Sequence, residues 1–172
     1  SSHNAPGWRF TAALAGTYAS TTTVPVVTNP GVGTKLQVLM PGETYRRGSP
    51  TGKSDTPAPQ VAGSTFTLTV NITDANWNIQ PSSSALINLG TTDPWDTEEA
   101  GQPTVGGVAN INHYFVTQTG VGWTITASTV SGSLVSGTGA PVLVNPDAAD
   151  RLILVIPGET RVDGHSVGKT GT

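Results

Sequence analysis

The stretch "STFTLTVNITD" (Ser64–Asp74) decides the fold class of this chain. Its apolar and polar side chains alternate one by one, with Phe66, Leu68, Val70 and Ile72 set against Thr67, Thr69, Asn71 and Thr73. Successive side chains of a β-strand point to opposite faces, and Thr and Val are favoured on strands. The stretch therefore predicts a half-buried strand with Asn71 on its outer face.

Other short runs have the same character. "GWTITAS" (Gly122–Ser128) and its near copy "GWRFTA" (Gly7–Ala12) predict strands with these inward residues: Trp123, Ile125 and Ala127, and in the copy Trp8, Phe10 and Ala12. "LILVI" (Leu152–Ile156) is apolar on both faces, which predicts a strand that is covered on both sides. Further strand candidates are Leu36–Met40, Ser84–Gly90 and Asn112–Thr119.

The segments between these runs are rich in Gly, Pro, Asn and Asp, and no stretch has the apolar spacing of a helix. "DTEEAGQP" (Asp96–Pro103) has room for one helical turn at most. Short strands joined by such turns are typical of an antiparallel β-sandwich. We predict an all-β chain of antiparallel Ig-like β-sandwich units, with a jelly roll as the alternative.

The chain also repeats itself. "KLQVLMPGETYRRGSPTGKSDT" (Lys35–Thr56) aligns without a gap on "RLILVIPGETRVDGHSVGKTGT" (Arg151–Thr172), 116 residues further on. "PVVTNP" (Pro25–Pro30) aligns on "PVLVNP" (Pro141–Pro146) at the same spacing, and the two "GW" blocks are 115 residues apart. A period of this length predicts a domain-sized unit rather than the short repeat of a solenoid.

The repeat predicts three segments. Residues 1–34 are the C-terminal strands of a preceding unit, residues 35–150 are a complete unit, and residues 151–172 are the first strand and turn of the next. Neither part-unit can close a sandwich alone, and its strand edges would bind other strands. Three explanations stay open: a window cut from a long filament, a subunit that exchanges terminal strands with its neighbours, and an arbitrary fragment. The first two predict a head-to-tail assembly of copies, joined by an inter-unit strand of Leu152, Ile153, Leu154, Val155 and Ile156.

Composition narrows the function classes. Charged residues make up 11% of the chain and its formal net charge is −3, so no basic surface is available for a nucleic acid. No run of about 18 apolar residues predicts a membrane span. The chain has no Cys, which excludes disulfides and thiolate metal sites. A Thr-rich chain of low charge favours an exported protein.

"LMPGETYRRGSPTGKSDTPAPQVAGSTFTLTVNITDANWN" (Leu39–Asn78) resembles a segment that recurs in the tandem Ig-like repeats of very long bacterial surface and extracellular proteins. The resemblance is echoed over Val155–Thr172 and is weaker over Ser84–Val130. It implies an extracellular or cell-surface structural repeat without enzymatic activity. It supplies no catalytic residues.

"GSPTGKS" (Gly48–Ser54) and "GHSVGKT" (Gly164–Thr170) end like a nucleotide-binding P-loop. That loop has four residues between its glycines and leads into a helix. Here three residues separate the glycines, and the prolines of "DTPAPQ" prevent a helix after the first copy. We therefore predict a Gly-rich turn in which Lys53 faces solvent.

Two loops offer candidate binding residues. Carboxylate oxygens are the ligands that Ca²⁺ prefers, and the candidates are Asp74, Asp93, Asp96, Glu98 and Glu99. A solvated acidic loop is the other interpretation of "DPWDTEE". Trp77 and Trp95 lie in or beside loops, where they would stack on a glycan or pack within and between units. Trp8 and Trp123 share a repeat position and are predicted to be core residues.

The remaining candidates are weaker. Asn71 begins the only Asn-x-Ser/Thr sequon without proline, so it is either a glycan acceptor or a chance match in a Thr-rich chain. His3, His113 and His165 lack metal-ligand spacing and are predicted to be structural. No nucleophile elbow and no pair of separated carboxylates indicates an enzyme.

The expected function is a structural repeat segment of an extracellular filament, stalk or cell-surface fibre, with copies of itself as partners and no cofactor besides the candidate Ca²⁺. The alternative is an adhesive or carbohydrate-binding β-sandwich module, which would use Trp77, Trp95 and the acidic loop to hold a glycan.

Overall fold

A computed structural model describes residues 4–13, 15–16 and 19–171, so His3 and parts of segment 1–34 lie outside the described residues. Its strands are β1 Asn4–Trp8, β2 Thr11–Ala12, β3 Thr21–Thr22, β4 Val26–Thr28, β5 Lys35–Leu39, β6 Thr44–Tyr45, β7 Lys53–Ser54, β8 Gln60–Val61, β9 Phe66–Thr73, β10 Leu86–Thr91, β11 Gln102–Pro103, β12 Val108–His113, β13 Thr119–Trp123, β14 Ile125–Thr129, β15 Gly137–Thr138, β16 Val142–Asn145, β17 Thr160–Arg161 and β18 Lys169–Thr170. These ranges contain no helix, and hence none with the length and apolarity to span a membrane. The prediction of an all-β chain is confirmed.

Two antiparallel sheets form the β-sandwich. One has the order β12-β9-β5, and the other has the order β11-β10-β14-β15. The central strand β9 places Leu68 opposite Ile111 of β12 and Ile72 opposite Leu36 of β5. A third sheet, β13-β16-β8, contains the parallel pair β16–β8. Since Thr124 alone separates β13 from β14, the chain passes directly from one sheet to another there.

A single apolar cluster fills the space between the sheets. It consists of Leu36, Val38, Met40, Phe66, Leu68, Val70, Ile72, Ile87, Leu89, Ala109, Ile111, Phe115, Ile125, Ala127, Val142 and Val144. Burying one Leu, Ile or Val side chain contributes about 1.5–3 kcal/mol, so this cluster is the main source of stability. The alternation is confirmed from Phe66 to Val70 and for Ile125 and Ala127, whereas Asn71 and Thr73, expected on the outer face, are buried.

One predicted strand within residues 35–150 is wrong. The expected strand Asn112–Thr119 is replaced by β12, which ends at His113. The chain leaves the sheet because the Asp93 carboxylate accepts the backbone amides of Val116 and Thr117, which a strand would have offered to a neighbouring strand. Local alternation cannot show this competition between a distant side chain and a strand partner.

The flanking segments also differ from expectation. Among the described residues, every buried side chain lies between Leu36 and Val144. Leu152–Ile156, expected as a strand covered on both sides, is not a strand and is exposed along its whole length. Trp8 and Phe10, expected to point into a core, are exposed too. The strands that pair with the equivalents of Phe10 and of Leu152–Ile156, β10 beside Ile125 and β9 beside β5, have no second copy in the sequence.

Candidate functional site

A hairpin that occurs twice is the most regular feature outside the core. β6 pairs with β7 so that Tyr45 is opposite Lys53, and β17 pairs with β18 so that Arg161 is opposite Lys169, 116 residues later. The glycines of the two turns match as well, since φ is 72° and 77° at Gly48 and Gly164 and 75° and 72° at Gly52 and Gly168. Positions 116 residues apart thus share one local backbone geometry.

A Lys–Glu pair closes each hairpin. Lys53 Nζ lies 2.7 Å from Glu43 Oε1, and Lys169 Nζ lies 2.7 Å from Glu159 Oε1. Lys53 also donates a hydrogen bond to the Val38 carbonyl, so the expectation that it faces solvent is wrong. Because β7 begins at Lys53, no helix N-terminus is present to bind a phosphate at this motif.

Trp77 packs against the first hairpin of its own unit. Its indole Nε1 donates to the Pro50 carbonyl at 3.1 Å, and the Tyr45 hydroxyl donates to the Trp77 carbonyl at 2.6 Å. Lys35 Nζ lies 3.3 Å from the centre of the indole ring, in cation–π contact. A Cβ on Gly52 would lie 2.5 Å from the same ring. The indole is therefore engaged in intramolecular packing, and glycan contact by Trp77 stays a prediction.

Asp74 fixes the turn that presents Trp77. One carboxylate oxygen accepts the amides of Asn76 and Asn78, and the other accepts the Gly31 amide and the Asn78 side chain, all within 2.9 Å. Burial opposes the charge of this carboxylate, but the four hydrogen bonds outweigh burial and lower the pKa of Asp74. The residue acts as a cap for the turn.

Asp93 fixes the turn that presents Trp95. Its Oδ2 accepts the backbone amides of Val116 and Thr117, both at 2.8 Å. Its Oδ1 accepts the Thr117 hydroxyl at 2.8 Å and the Trp95 amide at 3.2 Å. Asp93 is buried, so the expectation of a fully solvated acidic loop is wrong at this residue.

His113 holds the rest of the acidic loop. Its Nε2 lies 2.9 Å from Asp96 Oδ2 and its Nδ1 lies 2.8 Å from Glu99 Oε2, with the rings of Phe66 and Phe115 packed against the imidazole. Burial raises the pKa of Asp96, although the nearby imidazole acts in the opposite direction. The sequence contained a signal for this cluster, because His113 is the only histidine of residues 35–150 and "DTEE" is their only acidic run.

The five candidate Ca²⁺ ligands are not brought together. Asp74 follows the last residue of β9, whereas His113 lies opposite Phe66 at the first, and the eight residues of β9 span about 25 Å. Asp74 is thus remote from the acidic loop, where Glu98 lies beside Gly90. Across the described ranges no three His, Asp or Glu side chains form a group that could hold a metal ion. Ca²⁺ binding by the acidic loop stays a prediction.

Asn71 does not face outward. Its Nδ2 donates to the Gln37 side chain at 3.0 Å, and Gln37 in turn donates to the Gly52 carbonyl at 2.9 Å. Asn71 is buried because the first hairpin covers this end of β9. The prediction of an exposed glycan acceptor at Asn71 is therefore corrected, since its acceptor nitrogen lies inside the unit.

Trp95 lies between the complete unit and the second hairpin. Its ring makes an edge-to-face contact with His165, with 5.5 Å between the ring centres. A Cβ on Gly164 would lie 2.5 Å from the indole and 2.4 Å from the Thr117 methyl. A cleft of about 480 Å³ opens beside this contact and is lined by both segments. Trp95 thus packs against the following segment while 41% of its surface stays exposed.

No family model, curated protein or solved structure matches the chain. The Ig-like type of the sandwich and the resemblance to tandem bacterial surface repeats therefore stay predictions. The geometry of the described residues carries the functional argument.

Proposed function

We propose that this chain is a structural segment of an extracellular filament, stalk or cell-surface fibre in which β-sandwich units follow one another head to tail. One observation carries the proposal. The segments on either side of the complete sandwich reproduce its local geometry, while the side chains that would face a core are exposed.

The N-terminal flank reproduces the last strands of the complete unit. Thr11 pairs with Thr22 between β2 and β3, and their hydroxyl oxygens lie 2.8 Å apart. Thr126 pairs with Thr138 between β14 and β15, and their hydroxyl oxygens lie 3.0 Å apart. The same correspondence links the β1–β4 and β13–β16 pairs. The N-terminal flank and the end of the complete unit therefore have the same strand pairing, which supports the interpretation that both are parts of one kind of unit.

The equivalent core positions differ in burial. Phe10 is 64% exposed, whereas Ile125 at the same place in the complete unit is fully buried. Val26 is likewise exposed, and its equivalent Val142 is buried. Burial of each such side chain would contribute about 1.5–3 kcal/mol, so this face is built to be covered by further strands.

The C-terminal flank shows the same contrast. Leu152 is 101% exposed and Leu154 is 77% exposed, whereas their equivalents Leu36 and Val38 are 1% and 2% exposed. In the complete unit these residues belong to β5, which lies against β9 with Leu36 opposite Ile72. In the part of the chain that the structure describes, the exposed residues Leu152–Ile156 therefore lack a neighbouring strand with the pattern of β9.

Exchange of terminal strands between copies does not supply that neighbour. The C-terminal flank matches β5 to β7 and the N-terminal flank matches β13 to β16, so the strands from β8 to β12 have no counterpart in either flank. Two flanks from different copies would still lack the central strand β9. The absence of a second β9 from both flanks supports a continuous array of units rather than exchange of strands between subunits.

The outer faces of the sandwich support an exported location. Thr67 and Thr69 of β9 donate to Asn112 and Asn110 of β12 at 2.7 and 2.8 Å on an exposed face. Such cross-strand pairs stabilise a sheet without charged side chains. They account for a surface in which hydroxyl and amide groups replace the usual charges.

The chain itself provides the material for a test. Residue 172 is equivalent to residue 56, so appending residues 57–172 after Thr172, once or several times, adds one complete unit with each copy. Electron microscopy of such chains should show rods whose length grows by a constant increment per added unit. Compact particles or aggregates without this increment would contradict the proposal, as would saccharide-specific binding on a glycan array that Trp95→Ala abolishes.

A further inference from the structure

We propose that the second hairpin and the Trp95 turn form a joint between successive units, and that the outer face of the first hairpin is the matching docking surface for the Trp95 turn of a preceding unit. We call Arg47, Gly48 and Ser49 the outer face. This inference rests on the proposed function, because it names how neighbouring units of the array touch.

One half of the joint is a preformed surface. Four hydrogen bonds to the buried Asp93 carboxylate hold Trp95 and Thr117 together at one end of the sandwich. Charge-assisted hydrogen bonds of this kind are short and strong, so the backbone of Trp95 is positioned independently of the hairpin. Its partly exposed ring offers an apolar surface with a rigid backbone beneath it.

The other half is a hairpin position at which only glycine fits. Gly164 has φ of 77°, and any Cβ there would collide with both Trp95 and Thr117. The next residue, His165, places its ring edge-to-face against the indole. Gln118 donates to the Asp163 carboxylate at 3.4 Å, beside the same contact. The hairpin therefore fits the turn closely in both shape and polarity.

Each hairpin has two glycines at equivalent positions, and the two positions pack against different segments. Gly52 packs against Trp77 of its own unit, and its equivalent Gly168 packs against Ile153, which occupies the position of Gln37. Gly164 packs against Trp95 of the unit before it. A hairpin in an array would thus lie between the Trp77 turn of its own unit and the Trp95 turn of the preceding one.

The equivalence of Gly48 and Gly164 indicates what would bind to the outer face of the first hairpin. Gly48 has the φ and the register of Gly164 and is exposed. Its neighbour Arg47 occupies the position of Asp163, so Arg47 would face the equivalent of Gln118, whose side-chain oxygen can accept a hydrogen bond from the guanidinium. The turn geometry and the polar partner both fit the Trp95 turn of another unit, and we commit to that occupant.

Matched glycine substitutions test the joint in the chain as it exists. Gly164→Ala and Gly48→Ala impose the same left-handed strain on equivalent turns, but only the first pushes a methyl group into Trp95. NMR should show a cross-peak between the Trp95 and His165 rings in the unmodified chain. Gly164→Ala should abolish it and speed amide exchange in residues 160–170 by roughly tenfold or more, since overpacking separates the surfaces. Gly48→Ala should leave both unchanged.

Equal behaviour of the two variants, or no cross-peak in the unmodified chain, would contradict the proposed joint.

A second experiment tests the docking surface. Residues 35–115 are placed before Ser1, which supplies a preceding unit with its own Trp95 turn. Gly48→Ala should then disturb that tryptophan as Gly164→Ala disturbs Trp95, and an undisturbed ring would refute the docking surface. If the added residues fail to fold, the array itself fails, and the result for Gly164 still stands.

Discussion

Replacing His113 by phenylalanine should destabilise the unit more than any change at its surface. The imidazole lies within 3 Å of two carboxylates, Asp96 and Glu99, and is packed between aromatic rings that a phenyl group would also fit. His113→Phe therefore removes the partner of Asp96 without leaving a large cavity. The carboxylate of Asp96 is then buried with other acids as its charged neighbours.

The magnitude follows from that geometry. Leaving a buried charged group without its polar partner costs at least about 1–3 kcal/mol, a substantial part of the roughly 5–15 kcal/mol that stabilises a domain. Urea unfolding at pH 7, followed by tryptophan fluorescence, should show this loss. Adding Asp96→Asn to His113→Phe should recover part of it, because a buried neutral amide costs less than a buried charge.

The pH dependence gives a second criterion. Burial already raises the pKa of Asp96 in the folded chain, so the folded state binds its proton more tightly than the unfolded state does. In His113→Phe the opposing imidazole is gone, so the loss should shrink as pH falls and Asp96 becomes neutral. Arg151→Ala, which removes an exposed ion pair with Asp150, is the control and should change nothing measurable. A loss below about 1 kcal/mol for His113→Phe at pH 7 would refute the reasoning.

Two further predictions concern the turns. Gly52→Ala should cost about 1–3 kcal/mol more than Gly63→Ala in urea unfolding, because φ is 75° and 76° at the two positions but only the Gly52 methyl would meet the Trp77 ring; equal losses would contradict this. Asp74→Asn should cost about 1–3 kcal/mol at pH 7. Because the folded pKa of Asp74 is lowered from 3.8, its stabilisation is present above about pH 4 and is lost as pH falls through the folded pKa. Stability of the variant should therefore fall less steeply below pH 4, and an unchanged acid profile would argue against the cap.

The sequence was sufficient where local pattern and global packing agree. Alternation predicted β9 and the buried positions of β14, because the residues that face the core are those whose period matches a strand. The internal repeat predicted that residues 44–54 and 160–170 share one geometry, since identical Gly and Lys positions demand the same turn.

The sequence was insufficient where a distant residue changes a local preference. Alternation placed Asn71 outside, but the first hairpin folds over that face and buries it. The acidic loop suggested solvent or a cation, but its charges meet His113 on a strand whose position depends on the whole sheet. Such contacts require the tertiary arrangement, because neither spacing nor composition brings the partners together.

The central claim is that the exposed flanks are parts of neighbouring units, and amide hydrogen exchange of Leu152–Ile156 tests it most directly. In the present chain these residues form no strand, whereas their equivalents Leu36–Met40 lie largely within β5. When residues 57–150 are appended after Thr172, a second β9 becomes available to pair with them. The account predicts that the amides of Leu152–Ile156 then become as protected as those of Leu36–Met40 in the same molecule. Continued fast exchange at Leu152–Ile156, beside slow exchange at Leu36–Met40, would contradict it.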